Sequence, residues 1–284
     1  MTRRTLLFLP AAAAGGQETV FRADVRMVEV YVNIVDGRGR LVDGLARDRF
    51  QVLDDGVPQQ IAHFEAGASE LSCAVLFDTT GSMGRALPVV KNAILKMIGQ
   101  LRDNDWVAVY GFSTKVTALQ DFTRDRDAAR RAVLAARAMG GTALFDAISQ
   151  VARLISSRGG KKVIVLFTDG KDNASVLSSA AATTRVHKIG VPIYTVAQGE
   201  ALQSSSLLDQ LKDIARRTGG LSFRAPTADD VEPVFDAISR ELRHTYLMAY
   251  KPPADAAGKW RSIQVAVSGL KDHKIRAKEG YLPE

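Results

Sequence analysis

The stretch "LSCAVLFDTTGSMG", residues 71–84, decides the fold. Its first seven residues are an unbroken apolar run, the pattern of a strand covered on both faces. The run stops at Asp78. Hydroxyls then follow at Thr80 and Ser82, with glycines at 81 and 84. In an extended stretch leaving a strand, positions 78, 80 and 82 direct their side chains to the same side. The reading is therefore a buried strand that surfaces into a loop carrying one carboxylate and two hydroxyls.

Working outward, the pattern repeats. Leu87, Val90, Ile94, Met97 and Leu101 recur at helical spacing. "WVAVYGF" (106–112) and "KVTALQDF" (115–122) read as strands, and 125–138 and 143–157 as helices. "KKVIVLFTDG" (161–170) is another fully apolar strand. An Ala-rich helix, the strand "VPIYTVA" (191–197), a helix from Ser205 to Arg217, the strand "LSFRA" (221–225) and a helix over 228–243 complete the series. Strands alternating with helices predict an α/β class: a doubly wound, mainly parallel sheet with helices on both faces.

The two flanks read differently. In "VRMVEVYVNIVD" (25–36), Val25, Met27, Glu29, Tyr31 and Asn33 fall on one side of a strand, and Arg26, Val28, Val30, Val32 and Ile34 on the other. "FQVLDDGVPQQIAHF" (50–64) holds an Asp-Gly turn between apolar runs, and residues 244–284 return to strands and turns. Neither flank is large enough to stand alone. The expected organisation is an N-terminal β segment (20–68), an α/β domain (71–243), and a C-terminal β segment (244–284) that pairs with the first.

Residues 1–19 read as a signal peptide and linker. Arg3 and Arg4 precede the apolar "TLLFLPAAAA" (5–14), which ends in the small-residue pattern Ala12-x-Ala14. The expected location is secreted or periplasmic. The chain of 284 residues is 46% hydrophobic and 24% charged, ordinary for a protein with a sizeable core. Its formal net charge is +7, but the basic residues are dispersed and no aromatic-plus-basic strand motif accompanies them, so no nucleic-acid partner is expected. No apolar run is long enough for a membrane span. The single cysteine, Cys73, reads as a buried thiol.

In an open parallel sheet, ligands bind at the carboxyl ends of the strands. Asp78 ends one strand and Asp169, in "VLFTDG" (165–170), ends another. "GGTALFDAI" (140–148) sets Thr142 in a glycine loop just before a helix. Two carboxylates and three hydroxyls are hard oxygen donors, suited to Mg²⁺ first, or to Ca²⁺ or Mn²⁺. Taken singly, Asp78 with Thr80 is also an Asx turn and Thr142 also a helix N-cap.

Other chemistries fail on particular residues. A phosphotransfer aspartate of the haloacid-dehalogenase kind needs a second Asp where Thr80 stands. "GFSTK" (111–115) has Lys115 where a nucleophile elbow has glycine, and "GGKK" (159–162) lacks the hydroxyl of a phosphate loop. His63, His187, His244 and His273 are spread along the chain at neither metal nor triad spacing. No enzymatic activity is expected.

On these residues the chain resembles a von Willebrand factor type A domain with a metal-ion-dependent adhesion site. The family motif, D-x-S-x-S on one loop with a Thr and an Asp on two others, stands here as Asp78-x-Thr80-x-Ser82, Thr142 and Asp169. Thr80 in place of Ser keeps the hydroxyl and adds a methyl. The flanks resemble a bacterial subgroup of secreted proteins. The resemblance implies an ion held by Thr80, Ser82 and Thr142, with the aspartates acting directly or through water. It also implies a protein ligand carrying an exposed Asp or Glu, and a shift of loops and C-terminal helix when that ligand binds. The alternatives are a metal-dependent accessory subunit or chaperone of a larger complex, or a structural domain without metal.

Overall fold

The computed structural model describes residues 27–67, 69–84, 86–169, 171–254 and 258–283. The leader-like segment lies outside the described residues. In chain order, the amino-terminal flank forms β1 (Val28–Asp36), β2 (Phe50–Asp54), β3 (Val57–Gln59) and β4 (Ile61–Glu65). The central part follows with β5 (Leu71–Asp78), α1 (Leu87–Gln100), β6 (Trp106–Phe112), β7 (Val116–Thr123), α2 (Arg126–Ala135), α3 (Leu144–Ser156) and β8 (Lys161–Thr168). It continues with α4 (Ser179–Ile189), β9 (Ile193–Ala197), α5 (Ser205–Thr218), β10 (Ser222–Arg224) and α6 (Ala228–His244). The carboxyl flank forms β11 (Tyr246–Tyr250), β12 (Arg261–Val267), β13 (His273–Arg276) and β14 (Gly280–Tyr281).

The central sheet has six strands in the order β10-β9-β8-β5-β6-β7. All neighbours are parallel except β6 and β7. The fold is therefore α/β with a mixed, mainly parallel sheet. Alternate residues of β5 feed two cores. Cys73, Val75 and Phe77 pack with α1, α2 and α6, while Ala74 and Leu76 pack with α3, α4 and α5. The continuous apolar run is the consequence of this double coverage. Cys73 is free and fully buried, and burial pushes its thiol up to about 12.

The flanks interleave. One four-stranded sheet runs β13-β1-β11-β4 and the other β14-β12-β2-β3, so each draws strands from both ends of the chain. β1 is antiparallel to β11, with Val30 opposite Met248, and β2 is antiparallel to β12, with Val52 opposite Val265. Val30, Val32, Ile34, Phe50, Tyr246 and Tyr250 are among the residues that fill the space between them. α6 runs into β11 with only Thr245 between them.

The two faces of β1 depart from simple inside-outside alternation. Tyr31 and Asn33, on the face opposite Val30 and Val32, are also buried. They meet the α/β domain: the Tyr31 hydroxyl accepts from the Lys162 N–H at 3.2 Å, and Asn33 Nδ2 donates to the Glu241 carbonyl at 3.0 Å. A second packing surface thus covers what a lone sheet would leave wet.

Candidate metal centre

The sheet order reverses between β5 and β8, which opens a crevice at their carboxyl ends. Asp78 is the last residue of β5 and Asp169 directly follows β8. Three loops meet there: the first after β5, the second before α3, the third between β8 and α4.

Asp78 is wholly buried. Its Oδ1 accepts from the Thr80 N–H at 2.9 Å and its Oδ2 from the Thr168 hydroxyl at 3.1 Å. The first of these bonds closes an Asx-type turn. The chain then enters a 3₁₀ turn over Gly81–Gly84, not the extended run read from the sequence. That turn still brings Thr80 Oγ1 and Ser82 Oγ to 2.9 Å. The Ser82 hydroxyl donates onward to Asp169 Oδ1 at 3.2 Å. Thr79 faces away, its hydroxyl donating to the Phe112 carbonyl at 2.9 Å. Of the two consecutive threonines, only Thr80 belongs to the cluster.

The second loop is tied to the first by Met139 N–H to the Thr79 carbonyl at 2.7 Å and Gly81 N–H to the Gly140 carbonyl at 3.3 Å. The third loop clasps Thr142. Its N–H donates to Asn173 Oδ1 at 2.8 Å, and its carbonyl accepts from the N–H groups of Asn173 (2.9 Å) and Ala174 (3.1 Å). Gly140 has φ +83°, and a Cβ at Gly141 would lie 2.9 Å from Asn173 Oδ1. Both glycines are needed for this close approach. The N-cap of α3 is Ala143, so Thr142 does not cap that helix. Thr142 is buried.

The structure therefore brings the loops bearing all five residues together. It also shows supporting residues that sequence reasoning missed. Asp172 accepts from the Phe145 N–H at 3.1 Å, and Asp146 accepts from Val176 and Leu177 N–H at 2.8 and 3.0 Å. The run "KDNAS" (171–175) carried the only signal, an excess of turn-forming polar residues.

The electrostatics are unbalanced. Burial raises the Asp78 carboxyl above its usual range. Burial, then the charge of Asp78, pushes Asp169 up to about 6. Two carboxylates in one buried place, with hydroxyls as their partners, are the arrangement a cation relieves. The donor set is all hard oxygen, so it fits a small divalent ion. Among the described residues no group of three or more His, Cys, Asp and Glu side chains is placed to hold a metal. An ion here would lean on hydroxyls and water as well as the two carboxylates.

Residues 74–237 match the von Willebrand factor type A domain family. No curated protein sequence matches the chain. Among solved structures, a von Willebrand factor type A protein from Catenulispora acidiphila is similar at 16% identity and a TM-score of 0.55, over 92% of this chain and 75% of that one. Proximal thread matrix protein 1 from the mussel byssus, with a zinc-occupied MIDAS motif, is similar at 20% identity and a TM-score of 0.53, over 65% of this chain and 48% of that one. The D319A mutant of the PilB minor pilin from Streptococcus sanguinis has 15% identity and a TM-score of 0.50. That match covers 62% of each chain, so this chain spans about three fifths of the pilin's length. At such identities the likenesses show the fold alone. The family match covers more than half the sequence, and this chain belongs to the von Willebrand factor type A domain family.

Proposed function

We propose that this chain is an exported, adhesion-type binding module that uses one divalent cation to bridge to an acidic side chain of a protein partner. Domains of this family typically mediate protein–protein interaction. The carrying observation is the continuous chain from Thr80 through Ser82 to Asp169, with the loop that bears buried Thr142 tied to the same strand end. Thr80, Ser82 and Thr142 would supply hydroxyl oxygens, and Asp78 and Asp169 carboxylates. The bound ion supplies a Lewis-acid point of attachment for one further carboxylate. Mg²⁺ suits a site of few, compact oxygen donors. The zinc in the byssus protein's motif adds Zn²⁺ to the ions worth testing.

The proposal includes no catalytic step. All four histidines stand away from the site, in the flanking sheets (His63, His273), at the α6 terminus (His244), or on α4 against Trp260 (His187). Export is supported by the Arg3-Arg4 and Ala12-x-Ala14 pattern. No helix among the described residues is long and apolar enough to cross a membrane.

Calorimetric titration with Mg²⁺, Ca²⁺, Mn²⁺ and Zn²⁺, with and without acetate as a surrogate ligand, tests the ion. One ion per chain is expected, weakened strongly in Thr142→Val and abolished in Asp78→Asn. A folded wild type that binds none of the four ions, even with acetate, ends this reading. Amino-terminal sequencing of protein exported from a bacterial host tests the leader. Mature chains should begin after Ala14, and export with Met1 retained would refute cleavage.

A further inference from the structure

Among the described residues, the three most exposed large apolar side chains are Val176 (93%), Met139 (68%) and Leu134 (59%). Two of them lie on loops that carry the candidate site. Val176 is on the third loop, Met139 on the second, and Leu134 at the end of the helix that leads into the second. The loops are not free to fold these side chains back. The Met139 N–H is held by the Thr79 carbonyl at 2.7 Å and the Val176 N–H by Asp146 Oδ2 at 2.8 Å. Folding gains nothing from apolar groups left in water, and Met139 and Val176, both on loops of one polar centre, mark those loops as a contact surface.

The same loops are basic. Among the described residues, Lys115, Arg137 and Lys171 are exposed on them, against the exposed acid Glu200. Lys115 belongs to the β6–β7 turn, which is fastened to the second loop by the Ala143 N–H to the Ser113 carbonyl at 2.7 Å. Positive charge around a cation site selects acidic segments, and apolar side chains beside it select what flanks the acid.

We infer that the partner presents a polypeptide segment in which one Asp or Glu stands between apolar side chains: the carboxylate goes to the cation, and the neighbours pack on Met139 and Val176. This rests on the cation-dependent reading above. It adds the sequence context that the site prefers.

The test uses the full chain with saturating Mg²⁺ and three fluorescent peptides. One has a single glutamate flanked by leucines, the second has it flanked by serines, and the third has glutamine between leucines. The first should bind about tenfold tighter than the second, the scale of one buried apolar contact, and the third should not bind. The double variant Met139→Ser, Val176→Ser should erase that preference. Leu154→Ser, on the exposed face of α3, should keep it. Ion binding by calorimetry should be the same in all three proteins. Equal binding of the first two peptides to wild type overturns the inference, as does a preference that survives the double variant. So does binding of phosphatidylserine vesicles in place of every peptide. In the first two cases ion binding persists and the proposed function stands; in the third the ion reading stands and the protein partner does not. A wild type that binds no ion sinks both.

Discussion

At the carboxyl ends of β5 and β8, Asp78 and Asp169 share a buried site with hydroxyls and with each other's charge. At the amino end of β8, Lys162 is buried as deeply, yet its Nζ has Glu29 Oε1 at 2.7 Å and the Arg158 carbonyl at 2.8 Å. Asn33 is enclosed nearby in a closed set of bonds. Its Nδ2 donates to the Glu241 carbonyl, its Oδ1 accepts from the Thr245 hydroxyl at 3.1 Å, and that hydroxyl also donates to the Glu241 carbonyl at 2.7 Å. The Glu241 carboxylate pairs with Arg276. Around Lys162 and Asn33 the buried polar groups are completed from within the chain. The other end of the sheet sets two carboxylates against each other, an imbalance that something outside the chain can relieve. Each unpaired polar group costs a seam stability, whereas a binding site keeps some open for its ligand.

The sharpest way to break this comparison is at Lys162. Replacing it with alanine leaves Glu29 beside the Tyr31 hydroxyl without its cation. Breaking a buried pair costs roughly 3–5 kcal/mol, and Glu29 is partly solvated, so about 3 kcal/mol is expected. Urea denaturation measures it. A loss below ~1 kcal/mol would mean the pair does not hold the seam. Asn33→Ala should follow at about 2 kcal/mol, because it removes a buried bond to the Glu241 carbonyl and one from the Thr245 hydroxyl, which keeps its bond to Glu241. A cost that small surface changes also give would show that the domains are joined by apolar packing alone.

The two ends were unequally legible in the sequence. Strand ends at Asp78 and Asp169 follow from apolar runs that stop at a charge, which is local information. The sheet and its double coverage follow from alternation of strand and helix. The 3₁₀ turn at Gly81–Gly84 was not readable, because the turn is shaped by contacts with the second loop. Nor was the clasp of Asn173 on Thr142, set by two loops 31 residues apart. The seam was the least legible. Tyr31, Asn33 and Lys162 look like the wet face of a strand and a strand's charged start. They are buried only because residues 131 and 208 positions away close over them.

A third group at the seam behaves differently from Lys162. His187, on α4, is buried with its Nε2 unpartnered, its ring 4.4 Å from that of Trp260. Burial holds its pKa down to about 4, helped by Lys278 from the carboxyl flank and Arg217 and Arg216 from α5, and opposed by Asp213. The unfolded imidazole titrates near 6.5. Between these values the unfolded chain binds more protons, so stability is present above about pH 6.5 and is lost as the pH falls toward 4. The full shift corresponds to about 3 kcal/mol, and partial solvation reduces the expected loss to about 2 kcal/mol. Denaturation midpoints at pH 7 and pH 4 read it directly. His187→Phe keeps a ring on Trp260 and should remove most of the pH dependence. An unchanged dependence would place the acid-sensitive group elsewhere.

The smallest effect has the opposite sign and separates the two ends most cleanly. Asp78→Asn keeps an acceptor for the Thr80 N–H and removes one of two charges buried together. In chelator, where no ion offsets those charges, the variant should be more stable than wild type by about 1 kcal/mol. Any comparable change at Lys162 or Asn33 should destabilise. Added Mg²⁺ should then reverse the order. Wild type gains stability as the logarithm of ion concentration over its dissociation constant, and the variant gains nothing. A thermal midpoint that falls in the chelated variant would show that Asp78 is a structural member of its loop, held like the seam residues and not kept open for an ion.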